Sequence, residues 1–383
     1  MAWLQFAFQT EVKAGAGEDA EPVLEVDART NRCVLCVCDG LGGAGSQRYE
    51  AHDERTGAYL ASRLARQQVQ DAIAAGDILD SDSVRGVADH LAQRLHSSFA
   101  NAAASLVSGE PSGLRSRMIR VLPTTLALAA VWHFANAWHV KAVWAGDSRV
   151  YALTAEKGLQ QLTHDHQRNE RDAFDSLYED PPLANVVSAS APFYLEGATY
   201  RFQAPFAIIV ASDGCFGYLH SPMAFEELLL ETLNEADDAA SWQQAVEGRI
   251  LESTADDCSL ACVAPGTARA SDLATALKER LLRVRRLLAA SVTEDRSAPA
   301  NTDTIDVLRR SWEVYRLDYY AAVPEESYKT APEERAEQER VDTLANEADA
   351  SRAGPSGSPA NSPNAPQTEG SDLPAQSTEP AAD

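Results

Sequence analysis

A chain of 383 residues with 45% hydrophobic composition can bury a large core and still carry polar sequence outside it. Its formal charge of -24, from 33 basic against 57 acidic residues, argues against binding to nucleic acid or anionic lipid, both of which need a basic surface. The longest apolar region, Val121 to Trp144, is broken by His133, Asn136, His139 and Lys141 and is too polar to cross a bilayer.

The N-terminus, Met1-Ala2-Trp3-Leu4-Gln5, lacks the basic and apolar regions of a secretory signal, which points to the cytoplasm. Apolar runs predict buried strands at Val34 to Cys38, Leu126 to Trp132, Val140 to Trp144, Arg149 to Leu153, Phe206 to Ala211 and Ser259 to Ala264. Between the first two, Tyr49 to Ile73 reads as a helix, and Val87, Leu91, Leu95 and Phe99 mark a second at steps of four. Strands joined by short turns around a helical pair suggest antiparallel sheets covered by helices.

Further along, Leu273, Leu277, Leu281, Val284 and Leu288 recur at helical spacing behind a Ser271-Asp272 cap. Lys278, Arg280, Arg283, Arg285 and Arg286 make the other face basic. Ile305, Leu308, Trp312, Tyr315 and Tyr319 repeat the pattern up to Pro324. Two readings stand for this pair: helices packed on the domain or on each other, or a partner-docking module with an aromatic anchor. From Pro324 onward there are thirteen acidic against four basic residues, and Ser351 to Asp383 is dominated by small and polar residues that read as disordered. Six cysteines include Cys33-x2-Cys36, a possible start of a zinc site, but no second pair lies nearby and buried core thiols are the alternative.

The motif Val37-Cys38-Asp39-Gly40-Leu41-Gly42-Gly43 closes the first apolar run. A carboxylate at a strand end followed by glycine can hold a metal while a backbone carbonyl approaches the same ion. In order along the chain stand Glu18-Asp19, Asp39-Gly40-Leu41-Gly42-Gly43, Thr124-Thr125-Leu126, Gly146-Asp147-Ser148-Arg149, Leu162-Thr163-His164-Asp165-His166, Ser212-Asp213-Gly214 and Asp256-Asp257-Cys258-Ser259. Over roughly residues 5 to 265 this series resembles the metal-dependent protein phosphatases of the protein phosphatase 2C (PPM) family, bacterial type.

The resemblance implies an α+β fold, a central antiparallel β-sandwich flanked by helices. Residues 1–265 would be the phosphatase-like domain, 266–323 a helical extension and 324–383 an acidic, largely disordered tail. It implies hydrolysis of phosphoserine and phosphothreonine by a hydroxide bridging two Mn²⁺ or Mg²⁺ ions, two or three ions in all, consistent with the preference of hard cations for oxygen ligands. On this pattern Asp39 bridges both ions, Gly40 offers its carbonyl, Asp213 and Asp256 complete one site, Asp147 faces a third ion, and Glu18 and Asp19 hold metal-bound waters. Arg149 reads as structural. The implied partners are phosphoproteins, with a cognate Ser/Thr kinase or its targets foremost.

Two departures stand out. Relatives place a phosphate-gripping Arg four residues before the Glu of the acidic pair, whereas position 14 is Ala; neighbouring Lys13 is either a substitute point charge or a surface lysine. Relatives often carry a His just after the DGxGG glycines, whereas this chain reads Ala44-Gly45-Ser46, leaving His164 and His166 as alternative proton donors or structural residues. The segment Gln167 to Pro192, which corresponds to the family's flap, is acidic and is either a docking loop for a basic phosphopeptide or a solvated loop. The loss of the Arg opens a second functional reading, a catalytically weak pseudophosphatase acting as a binding scaffold.

Overall fold

The computed structural model describes residues 1–106, 120–169, 171–179, 181–289 and 302–332. The expected disordered segment from Ser351 lies outside them. In chain order the strands begin with β1 (Trp3–Thr10), β2 (Val23–Asp27) and β3 (Arg32–Val37), then a small hairpin of β4 (Arg48–Tyr49) and β5 (Arg55–Thr56). Helices α1 (Gly57–Ala74) and α2 (Val84–Leu106) follow. Next come β6 (Leu126–Phe134), β7 (Ala137–Ala145), β8 (Arg149–Thr154), β9 (Gly158–Gln161), β10 (Glu196–Phe202) and β11 (Phe206–Ala211). The chain continues through α3 (Pro222–Glu235), α4 (Ala239–Leu251), β12 (Cys258–Pro265), α5 (Ala270–Ala289), α6 (Thr302–Tyr319) and β13 (Glu326–Lys329).

Two antiparallel sheets form the sandwich, one ordered β1-β12-β11-β8-β9 and the other β13-β10-β7-β6-β3-β2. Strand alternation assigns each residue to a face. Leu35, Val37, Ala129, Val131, Ile208, Val210 and Val263 fill the space between the sheets. Their sequence neighbours point outward: Val34, Cys36 and Leu128 meet α1 and α2, whereas Ile209, Leu260 and Cys262 meet α3 to α6. Because every central strand is covered on both faces, it reads in sequence as a continuous apolar run.

Helix starts are set by side chains. Thr56 caps α1 by accepting from the Tyr59 N–H at 3.1 Å, Ser221 caps α3 ahead of Pro222, and Asp238 forms a capping box with Ser241 on α4. The α1 cap corrects the expected helix from Tyr49: residues 48–56 form the β4–β5 hairpin, and Arg48 pairs opposite Thr56.

The C-terminal helices are part of the same core as α3 and α4. Trp312, Tyr315 and Tyr319 are all buried, so the aromatic stripe is not exposed as a docking anchor. Arg280, expected on a basic outer face, is 2% exposed and chelates Glu226 at 2.5 and 3.0 Å and Asp318 at 3.1 Å. Removing one partner of such a buried pair costs about 3–5 kcal/mol. Beyond α6, β13 adds an edge strand to the larger sheet, with Glu196 opposite Lys329.

Candidate functional site

The carboxylates converge at one end of the sandwich because β3, β7 and β11 all end there. Asp39 follows β3, Asp147 lies between β7 and β8, and Asp213 follows β11. The Asp39 carboxyl lies against those of Asp19 and Asp213. Asp39 is held by its backbone: the Thr125 N–H donates to its carbonyl at 2.8 Å, the Thr124 hydroxyl to the same oxygen at 2.7 Å, and the Leu41 N–H bonds to Pro123. These bonds straddle Gly40 and leave its carbonyl outside the pair. A Cβ at Gly40 would come within 2.5 Å of the Ala58 carbonyl oxygen and 2.7 Å of that of Glu18, so the turn admits no side chain.

Asp19 is buried, and its Oδ2 accepts from the Ser212 hydroxyl at 2.7 Å; Ser212 in turn accepts from the Ser259 N–H at 2.9 Å. Glu18 Oε1 accepts from the Thr56 hydroxyl at 2.5 Å, which links it to the start of α1. Asp256 is exposed beside this group. Asp257 has a different part from its neighbour. Its two oxygens accept the Val12 N–H at 2.9 Å and the Glu18 N–H at 2.6 Å, fastening the 12–18 loop to the turn before β12. Gly214 lets this turn approach, since a Cβ there would lie 2.0 Å from the Asp257 carbonyl oxygen.

Crowding shows in the titration of these acids. Burial pushes Asp19 up to about 7, with the Asp213 charge adding to it. Asp39 rises well above the ordinary carboxylate range through burial and then the charges of Asp19, Asp213 and Asp147. Asp147 rises through burial, Asp213 and Asp165, and Asp213 rises through burial, with Asp256 adding to it. The nearby cation Arg149 is already engaged, its guanidinium bound to both Asp165 oxygens at 2.9 and 2.7 Å, which fits its expected structural part. An all-oxygen set of mutually repelling carboxylates with partly exposed Asp39, Asp147 and Asp213 suits hard divalent cations.

Among the described residues, the three groups whose ligand atoms all lie within 4.8 Å of one another are His164, His166 and Glu196. Their chemistry does not suit a metal. His166 Nδ1 faces the Gly146 N–H at 3.1 Å and the Asn185 amide at 3.0 Å, so it is the acceptor nitrogen and Nε2 carries the proton. Lys329 already sits 3.0 Å from the Glu196 carboxylate. His164 Nε2 is 3.0 Å from Glu196 and His166 Nε2 is 3.6 Å from it, so the cluster ties the start of the flap to β10 and β13.

Lys13 is exposed in the turn after β1 and lines a cleft of about 230 Å³ with Glu18 and Asp256. Arg48 and Arg55 line the same cleft. Sequence reasoning missed both: the helix expected from Tyr49 covered Arg55, and Arg48 belonged to no motif. The four acidic residues Asp172, Asp175, Glu179 and Asp165 in and before the flap are largely engaged: Trp312 Nε1 donates to Asp172 at 2.9 Å, Arg309 meets Asp175 at 2.6 Å, Arg171 pairs with Glu179 and Arg149 holds Asp165. Among the described residues, no helix is long and apolar enough to cross a membrane.

Residues 23–252 match the family model described as protein phosphatase 2C. A bacterial serine phosphatase structure is 15% identical, covers 68% of this chain and 97% of its own, and superposes with a TM-score of 0.50. The serine/threonine phosphatase PstP/Ppp of Mycobacterium tuberculosis is 16% identical over 69% of this chain and 99% of its own, with a TM-score of 0.48. A PstP catalytic domain solved with two manganese ions is 15% identical over 68% of this chain and 97% of its own, with a TM-score of 0.43. No sequence match was found among curated proteins. The chain therefore belongs to the protein phosphatase 2C family, whose Ser/Thr protein phosphatase activity depends on Mn²⁺ or Mg²⁺.

Proposed function

We propose that this protein removes phosphate from phosphoserine and phosphothreonine side chains at the Asp39 centre, and that its phosphoprotein substrates include a cognate Ser/Thr kinase or that kinase's targets. The observation that carries the reading is the position of Asp39, whose carboxyl lies between Asp19 and Asp213 at the open end of the sandwich. When bound, two Mn²⁺ or Mg²⁺ ions supply an activated water nucleophile and offset the charge of the phosphoryl group.

The chain's own residues do the positioning. Asp39, with the Gly40 carbonyl beside it, would bridge the ions; Asp213 and Asp256 would complete one side, and Asp147 would face a third cation. Glu18, held by Thr56, and Asp19, held by Ser212, would accept hydrogen bonds from water around them. Lys13 is placed to add a point charge at the cleft. Catalytic work falls to residues 1–265, while 266–323 brace the core and the flap. The full carboxylate set does not favour the scaffold reading, since a binding platform has no need of it. Six free, buried cysteines suit a reducing compartment, and so the cytoplasm.

Hydrolysis of a phosphothreonine peptide in Mn²⁺, with and without chelator, tests this. The wild type should turn over only with metal, and Asp213→Ala should lose about 100-fold or more in kcat while staying folded. Equal turnover in the variant would refute the assignment.

A further inference from the structure

The cleft beside the carboxylate centre contains more positive charge than the sequence motifs account for. Its walls come from the 12–18 loop, the β4–β5 hairpin and the turn before β12, and include Lys13, Glu18, Arg48, Arg55, Thr56 and Asp256. Glu18 and Asp256 belong to the proposed metal-facing set, so the cleft borders the proposed reaction centre.

The two arginines are held in place without being neutralised. Arg48 donates from Nη1 to the Glu54 carbonyl at 2.7 Å, and Arg55 donates from Nη1 to the Gly15 carbonyl. The Arg55 guanidinium also lies 4.3 Å from the centre of the Tyr59 ring, which fixes its plane. Each guanidinium has five N–H donors, so each keeps most of its fork for a ligand. Among the described residues neither arginine forms an ion pair. Of the cleft's carboxylates, Glu18 lies within electrostatic reach of Arg48 but accepts from the Thr56 hydroxyl, and Asp257 has both oxygens taken by the backbone N–H groups of Val12 and Glu18. Arg55 also holds the very turn, at Gly15, that contains Ala14.

We propose that Arg48 and Arg55 grip the phosphoryl group of the substrate, supplying from the β4–β5 hairpin the planar fork that position 14 lacks. The inference rests on the phosphatase reading of the Asp39 centre. A phosphorylated side chain carries close to two negative charges and three acceptor oxygens, and two guanidinium groups match both its charge and its geometry. The donors sit on a short hairpin that Thr56 fastens both to Glu18 and to α1, so the cationic wall and the metal-facing acids are positioned by the same residue.

The test compares wild type, Arg48→Ala, Arg55→Ala, the double variant and Arg55→Lys in Mn²⁺, with a phosphothreonine peptide as substrate and inorganic phosphate as product inhibitor. KM and the phosphate inhibition constant should rise together, by about tenfold or more in the double variant. Arg55→Lys should recover only part of the loss, because an ammonium lacks the fork. Mn²⁺ affinity, measured by calorimetry, should match wild type. Arg48→Ala guards against a folding artefact, since its recorded bond is confined to the hairpin. A double variant with wild-type KM and wild-type phosphate inhibition overturns the proposal. Should the wild type show no metal-dependent turnover, the phosphatase reading fails by itself. Calorimetric titration of inorganic phosphate into the Mn²⁺-treated proteins then decides the arginine assignment: weaker binding in the double variant supports it, and equal binding overturns it.

Discussion

Asp256 and Asp257 are adjacent, chemically identical and both line the cleft, yet the fold gives them different work: among backbone donors of the described residues Asp256 accepts only the Asp257 N–H, at 2.8 Å, and Asp257 spends both oxygens on the backbone of the 12–18 loop. Glu196 shows how far a single carboxylate can organise its surroundings. Burial alone would raise it, but His164 at 3.0 Å, Lys329 at 3.0 Å and the more distant His166 at 3.6 Å hold it well below its ordinary 4.5. The hydrogen bond to Glu196 raises His164 above 6.5 against the opposing effect of burial. The sign follows directly. The His164 contribution to stability is complete below pH 6.5 and fades as pH rises through the raised histidine value. On the acid side the Glu196 contribution is complete above pH 4.5 and is lost progressively as pH falls from there to the depressed carboxylate value. A histidine NMR titration should find His164 above 6.5, and Glu196→Gln should return it towards that value; an unchanged titration in the variant would contradict the pairing. Asp39, Asp147 and Asp213 stood out in the sequence because each sits beside a glycine at the end of an apolar strand, whereas Glu18, Asp19 and Asp256 were picked out by the order of the motifs alone. Arg48 and Arg55 were not, since a two-residue hairpin has no periodicity to show.

At the scale of elements, α6 does more than cover a sheet. Trp312 is fully buried and donates from Nε1 to Asp172, the Tyr320 hydroxyl accepts from the Ala173 N–H at 2.8 Å, and Phe174 stacks near Trp312 at 6.2 Å. The helix therefore fixes the first part of the flap from a distance of more than a hundred residues in sequence. Trp312→Ala should lower unfolding stability by about 3–5 kcal/mol and speed amide exchange at Ala173 and Phe174. Wild-type stability in denaturant, or unchanged exchange at those amides, would refute the brace. The helical spacing of Leu308, Trp312, Tyr315 and Tyr319 was visible in sequence, but what the stripe faces was not, because burial against α3 and against docking partners demands the same residues. Strands β1, β2, β9, β10 and β13 and helices α3 and α4 also escaped the sequence reading: β1 alternates Leu4, Phe6 and Phe8 with Gln5, Ala7 and Gln9, a half-buried pattern unlike the continuous apolar runs that marked the central strands, and β13 is a short edge strand in an acidic stretch.

For the whole molecule, the central antiparallel strands and their outer helices were legible because strands covered on both faces must be apolar throughout. Their order within each sheet was not, since β1 pairs with β12, with Trp3 opposite Pro265, and β13 with β10, with Lys329 opposite Glu196, far apart in sequence. The β1–β12 pairing brings the loop carrying Glu18 and Asp19 to the turn carrying Asp256 and Asp257, and so draws the proposed site from two distant parts of the chain. The central claim is that divalent cations sit at Asp39 and serve phosphate hydrolysis. Anomalous X-ray scattering from crystals soaked in Mn²⁺ tests it most directly. The account expects manganese peaks within coordination distance of Asp39, one of them shared with Asp213, and their loss in Asp39→Asn. Manganese at His164, His166 and Glu196 instead, or no peak at Asp39 in crystals that take up the metal elsewhere, would contradict it.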